Sequence, residues 1–167
     1  MSKKKIIGIS AAGVILVGIL SWMFTAPYLS NTGLARTPGI ILGGTPTPAL
    51  SDFSVLNGTV QGPLMKKHVG FPPFVDYLSW VALPEGIITA TRPDGGYWAR
   101  RVQERGGDGW LRIGDATFEM TAVEKFGEER LAMMQLWADK AGRTLDESVY
   151  EGAEPLRDWL VFFWVPR

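Results

Sequence analysis

The chain has 167 residues, of which 46% are hydrophobic and 20% charged, and its formal net charge is zero. It contains no cysteine and one histidine. This excludes disulfides, thiolate metal sites, a catalytic thiol and a multi-histidine metal centre, and the apolar content excludes an intrinsically disordered chain. We therefore assign no metal ligand and no catalytic residue, and expect any chemistry to come from oxygen or nitrogen groups or from a cofactor.

The N-terminal segment has the pattern of a membrane anchor. Residues 1–5 are basic, and residues 6–24 carry no charge over 19 positions, close to the length that crosses a bilayer. No Lys or Arg follows the initial lysines before Arg36, so the positive-inside rule predicts a cytoplasmic N-terminus and a main domain outside. The alternative is a cleaved signal peptide. The nearest cleavage site with small residues is directly followed by Pro27, and a proline at the first position of the mature chain argues against cleavage.

Residues 25–37 are predicted to be a linker, and residues 38–167 a single domain. Beyond residue 35 the chain has 14 basic and 17 acidic residues, so no basic excess indicates a nucleic-acid partner. The prolines and glycines of 38–48 exclude a regular helix there. Residues 52–56 and 63–69 are predicted to be short extended pieces on either side of a turn at Asn57-Gly58.

Five further strands are predicted from aromatic and β-branched residues bounded by turn signals. The strands 74–83 and 87–92 are predicted to form a hairpin. Gly114-Asp115 predicts a tight turn between the strands 110–113 and 116–124. The last is a run of seven apolar residues, typical of a strand that is buried on both faces. The predicted ranges are 74–83, 87–92, 110–113, 116–124 and 159–165.

Two helices complete the domain. The first covers 94–105, with Asp94 as its N-cap and Gly106-Gly107 after its end. The second covers 128–140 and begins with two glutamates, which the helix dipole favours at that end. Its predicted apolar stripe is Leu131, Met134, Ala138 and Ala141. The fold class is therefore mainly β within α+β: an antiparallel β-barrel or rolled sheet with two helices.

The order of these elements resembles the split β-barrel superfamily of flavin- and deazaflavin-binding proteins, typified by pyridoxamine 5′-phosphate oxidase. The resemblance covers most of 38–167, and it implies a homodimer with FMN or the deazaflavin cofactor bound between subunits. The phosphate loop of the deazaflavin reductases, of Gly-Arg-Lys-Ser-Gly type, has no clear match in this chain. The stretches that carry the resemblance are 42–55, 74–81, 96–102, 110–124 and 128–140.

Four residues are candidates for cofactor binding, because a phosphate needs fixed cations and a flavin ring needs a flat apolar surface. Lys66, Arg92 and Arg101 are assigned to the phosphate, and Trp98 to the ring. Each has an ordinary structural alternative: Lys66 protects an edge strand, Arg92 is a solvated loop residue, Arg101 complements a helix dipole, and Trp98 is a core residue.

Two functions from different classes follow. The first is a membrane-anchored split-barrel protein that binds FMN or the deazaflavin cofactor and either acts as an oxidoreductase or supports a redox reaction. The second is a non-catalytic, membrane-tethered binding or accessory module that has lost the cofactor. The expected partners are the lipid bilayer, through residues 6–24, a small-molecule cofactor and a second copy of the chain.

Overall fold

A computed structural model of the protein describes residues 3–29, 41–68 and 74–167. The predicted linker at 25–37 therefore lies outside the described residues from position 30 onward. The helices and strands of the described chain have the bounds α1 Lys3–Leu29, β1 Thr45–Pro46, α2 Leu56–Thr59, β2 Leu64–His68, β3 Val75–Leu78, β4 Trp80–Leu83, β5 Gly86–Thr91, α3 Gly96–Arg105, β6 Asp108–Ile113, β7 Ala116–Lys125, α4 Gly127–Lys140 and β8 Leu160–Pro166.

Helix α1 contains the predicted apolar segment 6–24. In the described part of the chain, however, no helix combines the length and the apolarity that crossing a membrane requires. The prediction of a single-pass membrane protein with a cytoplasmic N-terminus and an outer main domain is therefore wrong on this finding.

The strands form one sheet with the order β3-β2-β6-β7-β8-β5-β4, and β1 pairs with β7 beside this path. Both predicted hairpins, β4–β5 and β6–β7, are confirmed as antiparallel pairs. The sheet is mixed, not antiparallel throughout, because the two-residue strand β1 runs parallel to β7. The coarse prediction of an α+β chain with a dominant sheet is confirmed.

The two end strands of the sheet, β3 and β4, are consecutive in the chain and are separated by Ser79 alone. β3 pairs with β2, whereas β4 pairs with β5 at the opposite end of the strand order. No hydrogen-bonded ladder joins β3 to β4, but one short extended segment supplies both edges. The sheet must therefore curl until one continuous segment can reach both of its edges, where β3 and β4 follow each other end to end, and the sheet is not closed into a barrel.

Both faces of the curled sheet are buried. The inner face packs on α3, through Trp98, Ala99 and Val102, in one core cluster. The outer face packs on α4 in a second cluster. Strand β8 contributes Phe162 and Trp164 to the first cluster and its alternate residues to the second. The prediction of a last strand buried on both faces is confirmed.

The sequence predicted an extended piece at residues 52–56, and this prediction is wrong. The segment instead contains a 3₁₀ turn, Phe53–Val55, that continues into α2. Asp52 initiates the turn, because its Oδ1 accepts hydrogen bonds from the Ser54 N–H at 2.8 Å and the Ser54 hydroxyl at 2.6 Å. Asn57, predicted as a turn residue, instead pairs with the backbone of Ala82, donating to its carbonyl at 2.7 Å and accepting from its N–H at 2.9 Å.

Gly86 is the position where the two strands β5 and β8 approach most closely. A Cβ added there would lie 2.1 Å from the carbonyl oxygen of Trp164, which is backbone and cannot swing away. We expect Gly86→Ala to lower the free energy of unfolding by about 3 kcal/mol, measured by urea denaturation. Gly58→Ala is the matched control, because a Cβ at Gly58 meets no atom within 4 Å. Equal stability of the two variants would contradict this packing.

Candidate functional site

Three of the four predicted cofactor residues meet in the interior of the curled sheet. Lys66 lies on β2 and is fully buried, while Trp98 and Arg101 lie on α3 and are 6% and 3% exposed. The two α3 residues are three positions apart and so share one helix face. The Lys66 ammonium lies 5.1 Å from the centroid of the Trp98 ring and 6.0 Å from that of Trp164. These contacts place the lysine between two indole rings.

We call Lys66, Trp98, Arg101 and Asp76 the cation cluster. The β2–β3 register places Asp76 opposite Lys66. Its Oδ2 lies 3.8 Å from the Lys66 Nζ, and Nζ makes no hydrogen bond to a described atom. Burial lowers the pKa of Lys66 from 10.5 to about 8, although the Asp76 carboxylate opposes this shift and the Arg101 charge adds to it. The interior thus holds two basic groups and one carboxylate.

The cation cluster is closed to ligands in this arrangement. A phosphate or a flavin ring can contact only atoms that have accessible surface, and Lys66, Trp98 and Arg101 have almost none. Sequence reasoning placed the three residues in one neighbourhood but expected them to face a groove. The structure places them among core side chains, so Trp98 is a core residue, and Lys66 does not lie on a solvated edge strand because β2 has strands on both sides.

Arg92, the fourth predicted residue, has a different partner. It follows β5 and is exposed, and its guanidinium donates a hydrogen bond to the hydroxyl of Tyr150. The guanidinium carbon also lies 5.9 Å from the centroid of the Tyr150 ring. The contacts of Arg92 therefore tie the end of β5 to the segment between α4 and β8 and do not join it to the cation cluster.

An open groove of about 720 Å³ lies on the surface between the segment 41–49 and the β6–β7 hairpin. Its volume falls in the range of small-molecule sites. One wall is apolar and consists of Ile41, Leu42, Pro46, Pro48 and Ala49. The other side is formed by Trp110, Thr117 and Glu119, and Arg167 closes one part of it. We call this feature the hairpin groove.

The apolar wall of the hairpin groove is fastened to the hairpin by hydrogen bonds. The Thr45 and Thr47 N–H groups donate to the carbonyls of Asp115 and Thr117 at 2.6 and 2.9 Å. The Thr117 hydroxyl also donates to the carbonyl of Gly43 at 2.8 Å. The chain approaches so closely here that a Cβ at Gly44, whose φ is +81°, would lie 2.4 Å from the Thr117 Oγ1. Glycine is therefore required at this point of the wall.

Arg167, a cation on the polar side of the hairpin groove, is paired with two carboxylates. The guanidinium of Arg167 lies 3.4 Å from a carboxylate oxygen of Asp108 and 3.4 Å from one of Glu119. Its central carbon is also 5.9 Å from the centroid of the Trp110 ring. The charge of Arg167 is therefore already met by two carboxylates, and the groove does not suit a strong anion. Its apolar wall and the Trp110 ring suit an apolar ligand better.

A second, smaller cleft of about 390 Å³ lies beside the C-terminal end of α4. We call it the α4 cleft; Trp80, Trp137 and Lys140 line it, with residues 60–63. Neither cleft was predicted from the sequence. Trp137 could have been found, because it is three positions after Met134, and the buried stripe of α4 is Met134, Trp137 and Ala138. The predicted stripe members Leu131 and Ala141 are exposed instead.

Comparisons with known proteins leave the family open. No family model matches the chain, and no curated protein matches it significantly. Within the described ranges, no group of three or more histidine, aspartate or glutamate side chains is placed to hold a metal ion. The functional argument therefore depends on the cation cluster and the two clefts.

The buried lysine predicts a pH dependence of stability. The unfolded chain keeps the Lys66 proton up to its ordinary pKa of 10.5, whereas the folded chain loses it near 8. Between these values the unfolded state binds more protons, so the free energy of unfolding rises with pH. Urea unfolding at about pH 7 and about pH 10 should show a gain of a few kcal/mol relative to Lys66→Met.

Lys66→Met removes the titrating group but keeps the apolar stem, and we expect this variant to be at least as stable as the wild type near neutral pH. Lys125→Met, at a lysine outside the cation cluster, is the control and should keep the pH dependence of the wild type. An identical pH dependence in wild type and Lys66→Met would show that Lys66 is not held in the interior.

Proposed function

We propose that the domain is a split β-barrel of the type that the sequence resembles. The strand order supports this, because one segment, 75–83, supplies both end strands of a curled sheet. The inner face of that sheet is filled by the apolar side of α3 and by side chains from β2, β6, β7 and β8. This arrangement is the one expected of a small barrel with a helix against its interior.

We further propose that the domain is a non-catalytic ligand-binding module, and that the hairpin groove is its binding site. One observation carries this choice over a flavin enzyme: the residues predicted to hold the cofactor are buried, whereas the groove is open. A flavin phosphate needs cations that are free to meet it, and Arg167 is already paired with two carboxylates.

The lining of the hairpin groove indicates the class of ligand. The apolar wall and the Trp110 ring favour an aromatic or aliphatic body. Thr117 and Glu119 add hydrogen-bonding oxygens to the lining of the groove. We therefore expect an uncharged or weakly polar small molecule, held mainly by burial of its apolar surface.

Filling the hairpin groove tests this proposal. Ala49 is exposed on the apolar wall, so Ala49→Trp places a bulky ring in the groove without altering the core. We expect it to lower the affinity for an uncharged aromatic alcohol, measured by calorimetric titration, at least about tenfold. The matched control is Ala132→Trp, at an exposed position of α4. If both variants bind like the wild type, the groove is not the site.

A flavin- or deazaflavin-dependent redox protein is the second candidate. It is favoured by the proximity of Lys66, Trp98 and Arg101, which the resemblance selected independently of any structure. In this candidate the cation cluster opens toward a second subunit, and the cofactor, when bound, supplies the hydride chemistry. Sedimentation of the full chain would measure the homodimer that this candidate requires.

Titration with cofactor separates the two candidates. We expect no saturable change in absorbance or fluorescence when the full-length protein meets FMN or the deazaflavin cofactor at up to about 50 µM, because the cation cluster has no accessible surface. Saturable binding that is lost in both Arg101→Met and Trp98→Phe, with thermal melts like the wild type, would overturn the binding-module proposal. Binding that is lost only in Ala49→Trp would place a flavin in the hairpin groove.

A further inference from the structure

The α4 cleft contains a buried hydrogen-bond donor that has no partner. Trp137 is 8% exposed, and its indole Nε1 makes no hydrogen bond to any described atom. Buried indole N–H groups ordinarily find an acceptor, because an unmet donor costs free energy. The ring itself is well held, with its centroid 5.8 Å from that of Trp159. The N–H itself has almost no accessible surface, so Trp137 borders the cleft as a fixed indole wall and reports changes in the cleft through its ring.

A cation lies in the same cleft. The Lys140 Nζ is 3.7 Å from the centroid of the Trp80 ring and donates to the Asn57 Oδ1 at 3.2 Å. An ammonium has three donors, and no described carboxylate lies within ion-pair distance of this one. Trp137 and Lys140 are three positions apart on α4, so both belong to the helix face that borders the cleft.

The surroundings of Lys140 are rigid. Asn57 is held by two hydrogen bonds to the backbone of Ala82, and the Trp80 N–H donates to the carbonyl of Gly62 at 2.9 Å. Burial against these groups lowers the pKa of Lys140, as expected for an ammonium that has lost part of its water. Such a group gains more from an anion than a fully solvated lysine does.

We propose that the α4 cleft is a binding site for a small organic carboxylate, with the carboxylate on Lys140 and the apolar body against Trp80, Trp137 and residues 60–63. The charge of one ammonium matches one carboxylate, and a charge-assisted hydrogen bond is among the stronger polar contacts in proteins. The cleft volume of about 390 Å³ suits a compact ligand. This site is separate from the hairpin groove and does not depend on the function proposed for it.

The probe for the test is phenylacetate, which carries one carboxylate and one apolar ring. We expect saturable binding to the full chain, followed by the ¹H–¹⁵N resonance of the Trp137 indole, which Trp137→Phe identifies by its disappearance. Lys140→Met should weaken binding at least tenfold, and Lys140→Arg should retain most of it, because the charge remains. Phenylacetamide, which lacks the charge, should bind at least tenfold more weakly than phenylacetate.

Two variants serve as controls. Lys125→Met removes another lysine that lies near an aromatic ring, Phe163, and should leave phenylacetate affinity unchanged. Ala49→Trp should also leave it unchanged, so that failure of this site and failure of the hairpin groove can be distinguished. The inference is overturned if the Trp137 indole resonance does not move up to about 10 mM phenylacetate. It is equally overturned if Lys140→Met binds like the wild type.

Discussion

One extended segment, 75–83, supplies both end strands of the sheet, and the rest of the domain depends on this constraint. Because Ser79 alone separates β3 from β4, the sheet cannot lie flat, and its inner face must enclose a core. Helix α3 packs against that face and brings Trp98 and Arg101 with it. Everything on the inner face is thereby removed from solvent, including a lysine that alternation along β2 directs inward.

The buried charge of Lys66 is the most costly feature of this interior. Removing an ammonium from water is unfavourable, and a carboxylate at 3.8 Å repays only part of the cost. The faces of Trp98 and Trp164 provide a second, weaker compensation. Because Lys66 is fully buried, it does not mark an accessible binding site. We therefore assign ligands to the hairpin groove and the α4 cleft, whose described linings lie outside the cation cluster.

Much of the fold could be predicted from local patterns. Gly114-Asp115 located one hairpin, the run at 159–165 located the doubly buried strand β8, and the paired glutamates at 128–129 located the start of α4 to within one residue. The failures are long-range. Residues 52–56 turn because Asp52 caps them and Phe53 packs edge-to-face on Phe118, a contact across 65 positions that no local window contains.

The candidate sites likewise depend on long-range contacts that local sequence patterns do not contain. Sequence reasoning assigned Lys66, Arg92, Trp98 and Arg101 to one site; the structure brings Lys66, Trp98 and Arg101 together but places Arg92 against Tyr150. Burial depends on which strands end at the edges of the sheet, and residue type does not contain that information. The hairpin groove joins residues 41–49 to Arg167, and the α4 cleft joins Trp80 to Lys140. Such pairings arise only after the chain has folded, so composition and spacing could not indicate them.

The attachment of residues 41–49 to the β6–β7 hairpin has a thermodynamic consequence for recognition. A surface loop that closes around a ligand loses conformational entropy at that moment, and this loss subtracts from the affinity. Here the Thr45 and Thr47 backbone bonds and the close packing at Gly44 order the wall during folding. A molecule that enters the groove meets a surface already in its bound shape, so even a modest apolar contact area can translate into useful binding.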